Sequence, residues 1–138
     1  MTNKMAMRSA AVDRTAEREG AWVEYGTLSG DTYRVKIKRA CSTNAAFLKL
    51  SEELTRKYRK QGIELSQIPQ DKQRAITAEL YSKAIVTDWN ADDFGVAFSV
   101  EECRAAFTGD PDFQDFCVDE ANKQALFVKD ANEVTAGN

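Results

Sequence analysis

Between residues 33 and 38 the chain alternates strictly, with Tyr33, Val35 and Ile37 at the odd positions and Arg34, Lys36 and Lys38 at the even ones. A period of two belongs to an extended strand, whose successive side chains leave on opposite faces. The segment therefore predicts a strand with one apolar and one basic face. Ala21-Trp22-Val23-Glu24-Tyr25 is a second strand-like run, and Gly26-Thr27-Leu28-Ser29-Gly30 between the two supplies a turn. Together they predict an antiparallel hairpin. A lone hairpin is marginal in water, so the rest of the chain must cover its apolar face.

That remainder has a helical period. Phe47, Leu50, Leu54 and Tyr58 recur every three to four residues and predict a helix from about Asn44 to Gln61. Ser42, Thr43 and Asn44 offer N-caps and Gly62 a stop. Lys49, Arg56, Lys57, Arg59 and Lys60 fill its other faces, and the last four suit the negative end of the helix dipole. After a connector over residues 63–68, a second helix is expected from near Pro69 to about Asp88. Its broad apolar face, Ile76, Leu80, Tyr81, Ala84 and Ile85, predicts burial against more than one element. Asn90-Ala91-Asp92-Asp93 is expected to be an acidic turn, and Gly95-Val96-Ala97-Phe98 is short enough to add a third strand to the hairpin. Ser99 with Glu102 three residues on is a capping box that opens a short helix ending at Thr108-Gly109. Asp110-Pro111 is an N-cap followed by a proline at the first helical position, and opens the last helix. That helix places Phe113, Phe116, Cys117, Glu120, Gln124 and Phe127 on one face. The predicted fold is α+β and mainly α-helical, an N-terminal hairpin packed on about four helices. At 138 residues it is expected to be one domain over 19–130, between a flexible arm (1–18, at most a frayed helix) and a flexible tail (131–138).

Chemistry is constrained by what the chain lacks. It has no histidine, the commonest general base and nitrogen metal ligand, and its seven glycines are scattered without a phosphate-binding loop. Cys41, Cys103 and Cys117 form no CxxC pair, and the last two sit among apolar helix positions, where small buried thiols are expected. Asp88, Asp92 and Asp93 lack the spacing of a calcium loop and suit a solvated turn. With 43% hydrophobic and 30% charged residues, no long apolar run and no apolar leader after Met1, the expectation is a soluble protein of a reducing cytoplasm. No catalytic residue, metal ligand or cofactor is assigned, and the expectation is a protein that is not an enzyme.

Charge is segregated along the chain. Residues 32–60 hold nine Lys/Arg against two Asp/Glu, and residues 88–138 hold three against twelve, although the whole chain nets only −3. One consequence is head-to-tail self-association through a basic pole of Arg34, Lys36, Lys38, Arg56, Lys57, Arg59 and Lys60. The other is that the two halves neutralise each other within one monomer. Lys36, Lys38, Arg39, Arg56, Lys57, Arg59 and Lys60 with Tyr33 and Tyr58 are the material of a phosphate track, but the acidic pI of about 5.1 and the absence of a reader motif weigh against nucleic acid. The aromatic residues Trp89, Phe94, Phe98, Phe107, Phe113 and Phe116 divide between a core and candidate positions for a groove that receives an amphipathic helix of a partner.

Trp89, the segment Asp92-Asp93-x-Gly95-Val96-x-Phe98-Ser99-x-Glu101-Glu102 and the acidic, aromatic helix from Asp110 to Phe127 resemble, in order and spacing, the tail assembly chaperones of long-tailed bacteriophages. The likeness runs over roughly residues 20–128. It implies a mostly helical, oligomer-forming, non-enzymatic protein without cofactors. It implies binding to the long, helical, aggregation-prone tape measure protein in the host bacterial cytoplasm, before the tail tube polymerises. It also implies a frameshifted longer form that contacts the tail tube protein, and absence from the finished virion. The competing readings are a structural tail or neck component kept in the virion and a small nucleic-acid-binding regulator.

Overall fold

The computed structural model describes residues 14–41, 43–64 and 67–123. Most of the expected arm, the whole expected tail, and Gln124 and Phe127 of the last helix's face lie outside them. In chain order the elements are α1 (Arg14–Glu19), β1 (Ala21–Gly26), β2 (Thr32–Ile37), α2 (Ala45–Lys60), α3 (Gln70–Ala84), β3 (Val86–Trp89), α4 (Ala91–Phe94), α5 (Val100–Gly109) and α6 (Pro111–Ala121). The fold is α+β and mainly helical, a three-stranded antiparallel sheet in the order β1-β2-β3 packed on four longer helices.

The alternation read from residues 33–38 decides the sheet's orientation. Val35 and Ile37 are fully buried, Arg34 is exposed, and Tyr33 is half-buried at the strand's open end. β1 runs against β2 with Ala21 opposite Ile37 and Tyr25 opposite Tyr33. The turn closes through the Thr27 N–H on the Asp31 carbonyl (2.9 Å), and Gly30 takes the left-handed φ of +93° that L side chains resist. The helices cover one face of this sheet: α6 packs on β1 and β2, α3 on β3, and α3 also meets α2, α5 and α6. The broad apolar face of α3 is thus buried against several elements, as its width predicts. Phe107, Ile37, Ile85, Val35, Cys103 and Cys117 fill the interior, each large apolar side chain contributing about 2 kcal/mol by leaving water.

The third strand is where the sequence reading needs correction. It is Val86–Trp89, not Gly95–Phe98, and the second helix stops at Ala84 instead of reaching Asp88. Ile85, Val86 and Thr87 are β-branched in a row, which suits a pleated surface better than a helix. Pairing with β2 places Trp89 opposite Val35 and Val86 opposite Ile37, with a bulge between Lys36 and Ile37. Val86 and Trp89 are thereby buried. The expected acidic turn is instead the one-turn helix α4, capped by the Asn90 side chain, which accepts from the N–H groups of Asp92 and Asp93. Gly95 closes α4 at φ +76°, a helix-terminating conformation and not an extended one. The chain after it folds back beneath Trp89, whose indole N–H donates to the Val96 carbonyl (2.9 Å). Both predicted caps are present: Ser99 Oγ accepts from the Glu102 N–H, and Asp110 Oδ1 accepts from the Phe113 N–H.

Candidate interaction surfaces

The aromatic set splits by burial. Trp89, Phe107 and Phe113 are core residues, and Trp89 and Phe107 line no open concavity among those described. Phe94, Phe98 and Phe116 are half-buried and pack against that core. Phe94 stacks on Trp89 at 3.9 Å and 8°, while Phe98 meets the same indole edge-on at 5.4 Å. Five of the six form one connected seam of ring contacts, Phe116 joins it through Tyr25, and Phe94, Phe98 and Phe116 reach the surface.

One part of that seam opens into a concavity of about 280 Å³ lined by Tyr25, Tyr33, Phe94, Ala106, Asp110 and Phe113, with Thr27 and Gly109 at its edge. Its four rings touch in a closed circuit: Tyr25–Tyr33 at 6.4 Å, Tyr33–Phe94 at 4.9 Å, Phe94–Phe113 at 5.7 Å and Phe113–Tyr25 at 5.2 Å. The Tyr25 hydroxyl donates to Asp110 Oδ2 at 3.0 Å. Burial first, and then this bond to a carboxylate, raise the phenol to about 12, so it stays protonated. Tyr25 was no candidate in the sequence reading. The cross-strand pairing of two tyrosines was its available signal, once the hairpin register was known.

A second open surface is α2. Phe47, Leu50, Leu54 and Tyr58 form the predicted stripe, yet none of the helix's 16 residues is fully buried. Phe47 meets Tyr81 of α3 edge-on at 6.1 Å, and α3 is the one element on which α2 packs extensively. Leu48 beside the stripe is 44% exposed. The helix is fixed at its start by Asn44. Asn44 Oδ1 accepts from the Phe47 N–H (3.1 Å), and its side-chain Nδ2 donates to the Arg39 and Ala84 carbonyls (3.1 and 3.0 Å).

The predicted basic pole is not one patch. Arg34 is held by Asp93 of α4 through two side-chain bonds, Nε to Oδ2 at 2.9 Å and Nη2 to Oδ1 at 3.2 Å. The Arg34 backbone N–H also donates to Asp93 Oδ2 (3.0 Å). The guanidinium holds the Asp93 carboxyl below the usual carboxylate range. Lys36 lies on the sheet between Trp22 and Asp88, its partners in register. Arg74 of α3 likewise pairs with Asp115 of α6 at 3.3 Å. Some of the chain's charge is therefore neutralised internally. Arg56, Lys57, Arg59 and Lys60 behave differently: all four are exposed at the end of α2, with no ion pair among the described residues.

Cys103 and Cys117 are buried, and burial raises both thiols, Cys103 to about 12. They are protonated at neutral pH and act as small hydrophobes. Among the described residues no group of three or more Cys, Asp or Glu is arranged to hold a metal ion. No helix among them is long and apolar enough to cross a membrane.

No curated protein and no solved structure matches this chain. A protein family does: residues 42–138, from just before α2 onward, match the family described as YdaY prophage protein.

Proposed function

The chain belongs to the YdaY prophage protein family, and from that premise we propose that it is a non-enzymatic phage tail assembly chaperone that binds the tape measure protein. It acts in the host bacterial cytoplasm and leaves before the virion is complete. The observation that carries this reading is the half-covered stripe of α2. A helix with apolar residues at i, i+3, i+7 and i+11 normally closes that face against its own core. Here Phe47 meets Tyr81 of α3, and Phe47, Leu50, Leu54 and Tyr58 all remain partly open, over about 16 Å of helix. A long helical partner with an unpaired apolar stripe is the ligand such a face receives, as a further helix laid beside α2 and α3. The cations flanking the stripe keep it soluble while it is empty. The resemblance around Trp89 and Ser99 supports the tail assembly assignment, and the phage origin of the family agrees with it.

The test is co-expression with the tape measure protein of the same phage genome. The chaperone should raise the soluble fraction of the tape measure protein and co-purify with it. Leu54→Gln with Tyr58→Glu, two half-buried members of the stripe, should remove both effects while the far-ultraviolet circular dichroism stays unchanged. A tape measure protein that remains insoluble and does not co-purify sinks the proposal. Abundant peptides of this chain in purified particles would instead support a structural component of the virion.

A further inference from the structure

The aromatic concavity has the chemistry of a site for an organic cation. Four ring faces meet around it, three of them half-open, and a carboxylate lies at its edge. Asp110 is occupied by neutral donors, the Tyr25 hydroxyl and the Phe113 N–H, which leave its negative charge uncompensated. Asp112 follows on the same helix turn, exposed. Neither makes an ion pair among the described residues. Aromatic faces attract ammonium and guanidinium groups, and a neighbouring carboxylate reinforces them. The volume of about 280 Å³ suits one long side chain rather than a helix.

The same chain carries the complementary group elsewhere. Arg56, Lys57, Arg59 and Lys60 crowd the last turns of α2, exposed and without ion pairs among the described residues, although Glu52 and Glu53 lie one turn earlier. α2 packs on α3, whereas the concavity is built from β1, β2, α4, α5 and α6. The two features therefore occupy different parts of the fold, and each remains open in the monomer.

We propose that the concavity is a socket for a cationic side chain from the end of α2 of a second copy. The contact joins two different surfaces, so each copy keeps one free socket and one free basic end. Assembly continues into a ring or an open row instead of stopping at a two-fold dimer. Because the contact is charged and near the surface, added salt weakens it. This inference does not depend on the tape measure reading. It concerns the protein alone, and its failure leaves the co-purification test untouched.

Two variants test it by analytical ultracentrifugation at low salt, with nuclease-treated protein. One carries Arg56→Glu, Lys57→Glu, Arg59→Glu and Lys60→Glu and keeps the socket. The other carries Tyr33→Leu and keeps the basic end. The wild type should form oligomers that dissociate with added sodium chloride, and each variant alone should be a monomer. Mixed, they should form a heterodimer and nothing larger, because one good socket meets one good basic end. A monomeric wild type, association indifferent to both variants, or a mixture that stays monomeric overturns the proposal. So does association that disappears with the nuclease, which assigns the basic end to nucleic acid. If Tyr33→Leu does not fold, the wild type is titrated with L-argininamide. Shifts of the Tyr25 and Tyr33 ring protons, with dissociation beyond that caused by equal sodium chloride, support the socket. Unmoved rings overturn it.

Discussion

Arg34 ties the hairpin to the segment after β3 with a forked grip on Asp93, reinforced by its own backbone N–H. Arginine at an even position of β2 looks like one more solvated cation in the sequence. Its partner lies 59 residues away, and only the pairing of β3 with β2 brings Asp93 within reach. The pH dependence of this contact follows from the direction of the shift. Asp93 is held below its ordinary value of 3.8, mainly by the hydrogen bond from Arg34. A depressed carboxyl contributes stability that is present above the unfolded value and is lost as pH falls through the lower folded value. Thermal melts of the wild type and Asp93→Asn should therefore differ by a constant margin from neutral pH down to about 4, and converge in more acidic solution. A margin that ignores pH would mean that the charge of Asp93 contributes nothing.

At the scale of elements, Asn44 has the most to do. It caps α2 and fastens that helix to Arg39, two residues after β2, and to the end of α3, and it is buried while doing so. Asn44→Ala removes a cap and strands two carbonyls, at a cost of about 3 kcal/mol. Asn44→Ser keeps a capping oxygen but no amide, and should cost about half of that. Urea unfolding of both variants measures the split, and equal costs would deny the amide its fastening role. Local signals made much of this architecture legible. Alternation gave the hairpin, Ser99 and Asp110 announced two helix starts, and the stripe of α2 was visible residue by residue. The third strand was harder to read, because the apolar face of α3 runs on into Ile85 and masks the β-branched row Ile85-Val86-Thr87, which β2 then recruits along its unpaired edge. The site was legible only in part. Aromatic identity named Phe94, but long-range packing decided that Trp89, Phe107 and Phe113 would be core and that Tyr25 and Tyr33 would complete the concavity.

For the molecule as a whole, the polarity counted along the sequence divides into two kinds of charge. Arg34 with Asp93, Arg74 with Asp115, and Lys123 with Glu120 are pairs internal to the fold. The end of α2 and the edge of the aromatic concavity carry charges that the described fold leaves unmatched. In this member of the YdaY prophage protein family one amphipathic helix has no fully buried residue, and the proposed function assigns its apolar stripe to a partner. The most direct measurement is hydrogen–deuterium exchange of the chain, free and in complex with the tape measure protein of its own phage. With α2 as the docking face, exchange should slow over Ala45–Lys60, strongest from Leu50 to Tyr58. α5 and the core strands should exchange as they do in the free protein. A complex that forms with α2 unprotected, its protection confined to other elements, would contradict it.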